Sequence, residues 1–430
     1  MTNKQTRRNF LGKSMAGIAS VSIAPHLFAF GTPANDVIRI GVIGPGKRGI
    51  NLTRAFMDIE GVQVVAGSDV YGRKRQRFEK VVKDYYADKK LPAEVKTYEH
   101  YHDLLDRPDI DAVVIVTPDH WHALNAIDAV KAGKDVYLDK PMTFTIREGQ
   151  ALRQVVRDHK RVFGIGSQQR SDPEFQHAVK KVQEGAIGRI QKINAHVGDP
   201  PTVYNLSQEP IPADLNWDLW LGPSPYVHYN PELAPPISLD PPEEEQFWAG
   251  WRWYKELGGG FTTDWGAHMF DIAQWGIGMD GRGPIEIIPA GYKDTPYLTY
   301  IYDNGVVMTE EPFDENKTKG VKFWGNDGWI EISRGFFKGS TPALAPEVNQ
   351  DNQVSHIHQR NFIEAVRARK DPQVPVEVGH SSCTVCTLGN IAYELGRPVR
   401  WNPDAETFVN DPEAEKHMHR EYRSGYELSV

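Results

Sequence analysis

The apolar run Ile38 to Ile43 leads directly into Gly44-Pro45-Gly46-Lys47-Arg48-Gly49. A helical stretch from Asn51 to Asp58 follows. A glycine triplet alone is weak evidence, but between a strand and a helix it makes the tight turn that brings backbone N–H groups and a helix N-terminus against a pyrophosphate. This constrains the chain to an α/β, doubly wound parallel sheet that binds a dinucleotide. Two further apolar runs fit the same sheet. Ala112 to Val116 ends in Thr117-Pro118-Asp119-His120-Trp121-His122, and Val136 to Leu138 ends in Asp139-Lys140-Pro141. A fourth, Val62 to Gly67, ends at Asp69, about 20 residues past Gly49, where a carboxylate accepts hydrogen bonds from the adenosine ribose. That favours NAD, since a 2′-phosphate would meet a negative charge. Arg73 and Arg75 keep NADP open, and a helix N-cap is the structural alternative for Asp69.

The length, 430 residues, suits two domains. A net charge of −8 gives no basic surface for nucleic acid or an anionic membrane. The two cysteines, Cys383 and Cys386, lack the further ligands a structural zinc needs and read as buried packing in a helix. Residues 1–31 read as a twin-arginine export signal, with Arg7-Arg8-Asn9-Phe10-Leu11 ahead of a mildly apolar stretch. The expected destination is the periplasm, reached in the folded state through the twin-arginine export machinery. No other stretch approaches the ~20 apolar residues of a membrane span, so stable insertion is not expected.

Strands and helices alternate over residues 36–163, the expected dinucleotide-binding domain. Residues 164–402 form the expected α+β substrate-binding and oligomerisation domain. Within it, a long segment rich in Pro and aromatic residues runs from Gly198 to Glu245. Short alternating runs from Ile285 to Phe337, with turns at Asp303-Asn304-Gly305 and Gly325-Asn326-Asp327-Gly328, predict a large open, mostly antiparallel sheet. A sheet with one uncovered face usually finds a partner, which points to a homo-oligomer. Helices are expected over His356 to Arg369 and Ser381 to Leu395, and a polar tail over 403–430.

Lys140 stands at the carboxyl edge of the parallel sheet, where open α/β folds bind ligands. Asp264 and His268 are spaced four apart, as on one face of a helix, after the glycine run Gly258 to Gly260. Metal binding by Asp264, His268 and Asp271 fits the spacing, but the dinucleotide signals give that site another task. Trp217, Trp220, Trp251, Trp253, Tyr254 and Trp265 suit stacking on sugar C–H faces, and about two of the six are expected to meet substrate. Arg170 and Arg252 are candidate hydrogen-bond forks, and His356 or His358 either reaches the pocket or is structural.

The glycine loop, Thr117 to His122, the Lys140-Pro141 pair and the Asp264/His268 spacing together resemble the Gfo/Idh/MocA family, from about Val37 to Trp401. The family's usual Glu-Lys-Pro is Asp139-Lys140-Pro141 here. The segments Asn216 to Pro223 and Asp264 to His268 resemble its exported, sugar-directed branch. The resemblance implies oxidation of a hydroxyl on a sugar, glycoside or cyclitol, with NAD or NADP. It places the cofactor on Gly44, Gly46, Lys47, Arg48, Gly49, Asp69, Thr117, Pro118, His122, Asp139 and Lys140. His268 would be the general base, supported by Asp264, and Lys140 would stabilise the developing alkoxide, with the base role open to sharing between the two. Arg170, Arg252, Trp253, Asp264 and His268 would face a small carbohydrate substrate. A second implied activity is a glycosidase working by transient oxidation and elimination, like the NAD-dependent α-N-acetylgalactosaminidases.

Overall fold

The computed structural model describes residues 37–92, 94–240, 245, 248–346 and 354–428. The expected export signal, residues 1–31, lies outside the described residues. The first sheet contains β1 (Ile38–Ile43), β2 (Val62–Ser68), β3 (Lys96–Tyr98), β4 (Ala112–Ile115), β5 (Asp135–Leu138) and β6 (Phe163–Ile165). Its order is β3-β2-β1-β4-β5-β6 with every pair parallel. Strand β1 is buried on both faces, which is why it reads as a continuous apolar run rather than an alternating one. Helices α1 (Lys47–Met57), α2 (Gly72–Asp88), α3 (Tyr101–Leu105), α4 (Asp119–Lys131) and α5 (Ile146–His159) cover the sheet. The capping box of Thr145 and Glu148 fixes where α5 begins.

The second sheet begins with β7 (Ile190–His196), reached through α6 (Pro173–Gln183), which Asp172 caps ahead of Pro173. A short helix, α7 (Trp217–Leu221), interrupts the long irregular segment, and α8 (Gly260–Asp264) and α9 (Gly266–Gly276) follow it. Then come β8 (Glu286–Ile288), β9 (Thr299–Ile301), β10 (Val307–Thr309), β11 (Gly320–Gly325), β12 (Trp329–Ser333) and β13 (Phe336–Gly339). Helices α10 (Val354–Ala368) and α11 (Val376–Leu395) lead to β14 (Val399–Asn402), β15 (Thr407–Phe408) and α12 (Pro412–Lys416). The sheet order is β13-β12-β11-β7-β10-β9-β8-β14-β15, antiparallel apart from the β7–β10 pair. Phe175, Phe270 and Leu388 from α6, α9 and α11 pack with Ile193, Phe323 and Ile332 on one of its faces. On β11, Lys322 sits 3.8 Å above the Trp324 ring and pairs with Glu331 at 2.6 Å. Among the described residues no helix is long and apolar enough to cross a membrane.

Two expectations about chain organisation need correction. The dinucleotide-binding half is not built from residues 36–163 alone, because α10 completes its core. The Phe362 ring packs edge-on against Tyr137 and Phe56, with centroids 5.6 and 6.2 Å away. Nor is 403–430 simply a polar tail. Tyr422 Oη donates to Glu148 Oε1 at 2.5 Å, Tyr426 packs on Trp121, and Leu428 packs against the core beneath the parallel sheet. Both misreadings come from contacts between distant parts of the chain, which local periodicity does not encode.

Candidate active site

A cavity of about 300 Å³ lies along the carboxyl edge of the parallel sheet, between the two halves of the chain. Gly44, at φ +81°, makes the turn, and a Cβ there would stand 2.8 Å from the Thr117 amide nitrogen. A Cβ on Gly49 would meet the Gly44 carbonyl oxygen at 2.6 Å. Gly46 is different: its φ of −65° suits any residue, and the nearest atom to a Cβ would be Lys74 Nζ at 3.9 Å. The missing side chain there leaves room on the cavity wall rather than relieving a protein clash. Helix α1 starts at Lys47, inside the glycine motif and four residues before the expected Asn51. Among the described residues no side chain caps its N-terminus, so its first N–H groups and positive dipole end face the cavity that Gly46, Lys47, Arg48 and Gly49 line. This cradle fits a pyrophosphate.

Asp69 lines the cavity just past the end of β2 and is 9% exposed. Its Oδ1 accepts from the Tyr71 amide at 2.9 Å, so it also orders the entry to α2. The cation beside it is Lys74, whose Nζ is 4.0 Å from Oδ2. Arg75 instead donates to the Asp69 backbone carbonyl, and neither Arg73 nor Arg75 lines the cavity. Glu245 closes this end from the second half of the chain: its carbonyl accepts from Lys47 Nζ at 2.7 Å and its carboxylate pairs with Arg77 at 2.7 Å.

At the other end, Lys140 Nζ donates to both Oδ1 and the backbone carbonyl of Asp264, each at 2.7 Å. Arg252 Nε stands 3.5 Å from the same Oδ1, with its guanidinium stacked on Trp248 and Trp251. Burial works to raise the Asp264 pKa, but the Lys140 and Arg252 charges prevail and hold it below the usual carboxylate range. Asp139 faces Arg48 through two hydrogen bonds of 3.2 and 3.3 Å. It too is held low by that guanidinium against the effect of burial. Asp139 therefore anchors the first turn of α1 and steadies the strand end that carries Lys140. Thr117 and Pro118 line the cavity, and His122 bonds the carbonyls of Pro141 and Thr117, tying the two strand ends together.

His268 lines the cavity and is almost fully buried, and its Nδ1 has no hydrogen-bond partner among the described residues. Burial first, then Arg334, Lys140 and Arg48, push its pKa well below the ordinary histidine value, so it is neutral at neutral pH. Asp264 does not support it as expected. The two are on successive helices, α8 ending at Asp264 and α9 beginning at Gly266, and the carboxylate is taken by Lys140.

Two candidate substrate residues are elsewhere. Arg170 is buried in bidentate pairs with Asp271 and Asp280, and Trp253 stacks on Phe261 at 4.2 Å; neither lines the cavity. Of the six expected aromatic residues, Trp220 and Trp251 line it, joined by Trp121 and Trp248. His356 stands 3.9 Å from Asp58, and His358 bonds Ser171 and the Ile165 carbonyl, both away from the cavity. The sequence reading missed Asp119, Lys74 and Arg334. Asp119 was legible within the Thr117 to His122 segment; Arg334, in the β12–β13 turn, carried no signal.

Residues 38–167 match the Gfo/Idh/MocA model for the oxidoreductase family's NAD-binding Rossmann fold, and residues 201–428 match the model for its C-terminal alpha/beta domain. The chain belongs to the Gfo/Idh/MocA oxidoreductase family. The glycosyl hydrolase family 109 protein 2 of Shewanella sp. (strain ANA-3) is 36% identical over 160 residues, covering 33% of this chain and 35% of that protein. The alpha-N-acetylgalactosaminidase of Shewanella oneidensis is 34% identical over 139 residues, covering 32% and 27% respectively. The chain thus spans about a third of the length of the curated relatives it matches. Among solved structures, levoglucosan dehydrogenase in complex with NADH and L-sorbose superposes with a TM-score of 0.57 at 18% identity, covering 85% of this chain and 99% of that one. At that identity the likeness is one of fold, and it agrees with the Rossmann domain and mostly antiparallel second sheet described above.

Proposed function

We propose that this protein oxidises a hydroxyl-bearing carbon of a sugar, glycoside or cyclitol with bound NAD. The observation that carries this reading is the Lys140–Asp264 pair and a neutral His268 whose Nδ1 has no hydrogen-bond partner among the described residues, in one cavity with the glycine cradle. When bound, NAD supplies the acceptor for the hydride that leaves the carbinol carbon. Gly44 to Gly49 and the α1 N-terminus hold the pyrophosphate, and Asp69 receives the adenosine ribose hydroxyls. Lys140, fixed by Asp264, places its charge where the alkoxide develops, in a site shielded from bulk water. His268, being neutral, can take the hydroxyl proton as the C–H bond breaks. Trp220, Trp248 and Trp251 offer faces to sugar C–H groups, and Arg252 a fork to hydroxyls.

The test is to load the protein with NAD and mix it with a panel of pyranosides and cyclitols, following absorbance near 340 nm. Absence of reduction across the panel, with NAD shown to be bound, would sink the oxidoreductase reading. The similarity to glycosyl hydrolase family 109 proteins supports a second one, in which oxidation at C3 acidifies the C2 hydrogen, the aglycone leaves from C1 by elimination, water adds back across C1 and C2, and reduction at C3 returns the electrons. Release of nitrophenol from a nitrophenyl glycoside without net NADH marks that outcome. We further propose a homo-oligomer formed through the open face of the second sheet, and export to the periplasm directed by Arg7 and Arg8.

A further inference from the structure

Among the described residues six acidic side chains line the cavity, and five of them are held by a neighbour. Asp69 accepts from the Tyr71 amide, Glu99 from Asn216, Asp139 from Arg48, Glu245 from Arg77 and Asp264 from Lys140. The sixth, Asp119, opens α4 where β4 gives way to the helix, and it is 5% exposed. Its carboxyl has no hydrogen-bond partner among the described residues, and it shares the cavity wall with Lys140, Asp264, Arg252 and His268. A buried carboxyl without a partner is costly, and folded proteins retain such groups chiefly where a ligand or a function satisfies them.

We propose that Asp119 is a substrate-binding residue whose carboxyl takes a hydroxyl of the sugar other than the one being oxidised. This rests on the reading of the cavity as a carbohydrate-oxidising site, and it narrows the substrate to a polyol that presents at least one further hydroxyl there. A carboxylate accepts from hydroxyl donors in short, charge-assisted bonds, and a neutral carboxyl both donates and accepts. Burial, opposed by Arg252 and Lys140 and assisted by Asp264 and Asp139, brings the Asp119 pKa up to about 7, so both forms are present near neutrality. Either form engages a hydroxyl, and neither engages the C–H that replaces it in a deoxy sugar.

The experiment is calorimetric titration of NADH-loaded protein with methyl glucosides, myo-inositol and their singly deoxygenated analogues. It compares wild type with Asp119→Ala and the isosteric Asp119→Asn, and NADH affinity and melting temperature are measured alongside. In wild type, removing one particular hydroxyl should weaken binding about 10- to 100-fold, as for a hydrogen bond to a charged group. In Asp119→Ala that same deletion should cost nothing further, while NADH affinity stays at the wild-type value. Asp119→Asn, which keeps the shape but not the charge, should fall between, and it carries the comparison if the alanine variant does not fold. Undiminished discrimination against every deoxy analogue in both variants, or a loss of NADH affinity equal to the loss of sugar affinity, overturns the assignment. Wild type that reduces its NAD with a sugar while discrimination ignores Asp119 leaves the oxidoreductase reading standing; wild type that binds NADH but no member of the panel overturns both.

Discussion

The Lys140 ammonium holds Asp264 twice, through the carboxylate and through the backbone carbonyl, both at 2.7 Å. One lysine just past the end of β5 thereby fixes the last turn of α8 and, two residues later, the start of α9, which carries His268. Asp264 acts on His268 by placing its helix rather than by polarising its ring. His268 and Lys140, the proposed proton acceptor and alkoxide-stabilising charge, then arrive from different halves of the chain, with the Lys140–Asp264 ion pair joining the two.

Replacing Lys140 by alanine should lower turnover about 10²–10³-fold, the usual cost of one preorganised donor to an oxyanion. His268→Ala should cost about 10²–10⁴-fold as a lost general base. Because both act on one hydroxyl, the double variant should be little worse than the poorer single one. Pre-steady-state NAD reduction measures all three, and strictly multiplicative losses would show that the two residues act on different steps.

The His268 pKa should rise when Arg334 is removed. The guanidinium opposes protonation of the imidazole, so Arg334→Ala must shift the titration upward, toward the ordinary histidine range. The acid limb of the pH–rate profile should move with it, and the His268 ring-proton resonance reports the same shift without turnover. A downward or null shift would remove Arg334 from the account.

Gly46→Ala and Gly49→Ala should separate affinity from folding. At Gly46 the backbone is permissive and the nearest atom to a new Cβ among the described residues is Lys74 Nζ at 3.9 Å, so the melting temperature should hold while NADH affinity falls about tenfold or more. At Gly49 the clash with the Gly44 carbonyl should lower stability as well. Asp69→Ala should weaken NADH by about 1–3 kcal/mol and NADPH by less. Tighter binding of NADPH than NADH by wild type would transfer the ribose end to Lys74.

Asp119 gives the ligand-free fold a pH dependence of known sign. Its folded value of about 7 lies above the ordinary carboxylate value near 4, so the native state keeps a proton that the unfolded chain releases. The stability it contributes is present below pH ~4 and lost as pH rises through about 7. Asp119→Asn cannot titrate, so its melting temperature should gain on wild type between about pH 4 and pH 7 and level off above. A constant offset would show that the carboxyl stays ionised.

Arg7→Lys combined with Arg8→Lys should leave the folded protein in the cytoplasm. Fractionation of cells expressing both forms decides this, and continued export of the double variant would rule out the twin-arginine route.

The parallel sheet was legible because its strands are buried on both faces and punctuated by glycine, proline and aspartate, all of which are local signals. That the glycine loop, Lys140, Asp264 and His268 meet in one cavity was likewise foreshadowed by local motifs, the glycine turn, the lysine-proline pair and the four-residue spacing. Arg170 and Trp253 were misplaced because composition shows that an arginine or tryptophan is available, not which partner takes it. Asp271 and Asp280 claim Arg170 from about a hundred residues away. Arg334 was invisible because its role depends on the β12–β13 turn arriving over Trp265, where its guanidinium lies 4.7 Å from the ring.

The packing of Phe362 between Tyr137 and Phe56, with Tyr422 on Glu148 and Leu428 in the core below, has a consequence for biosynthesis. The ribosome delivers all six strands of the nucleotide fold early, yet that fold lacks part of its core until α10 emerges and its final contacts until residue 428 does. Its core is therefore complete only once α10 has been made, and a fragment ending near residue 167 would expose apolar rings rather than stand as a portable nucleotide-binding module.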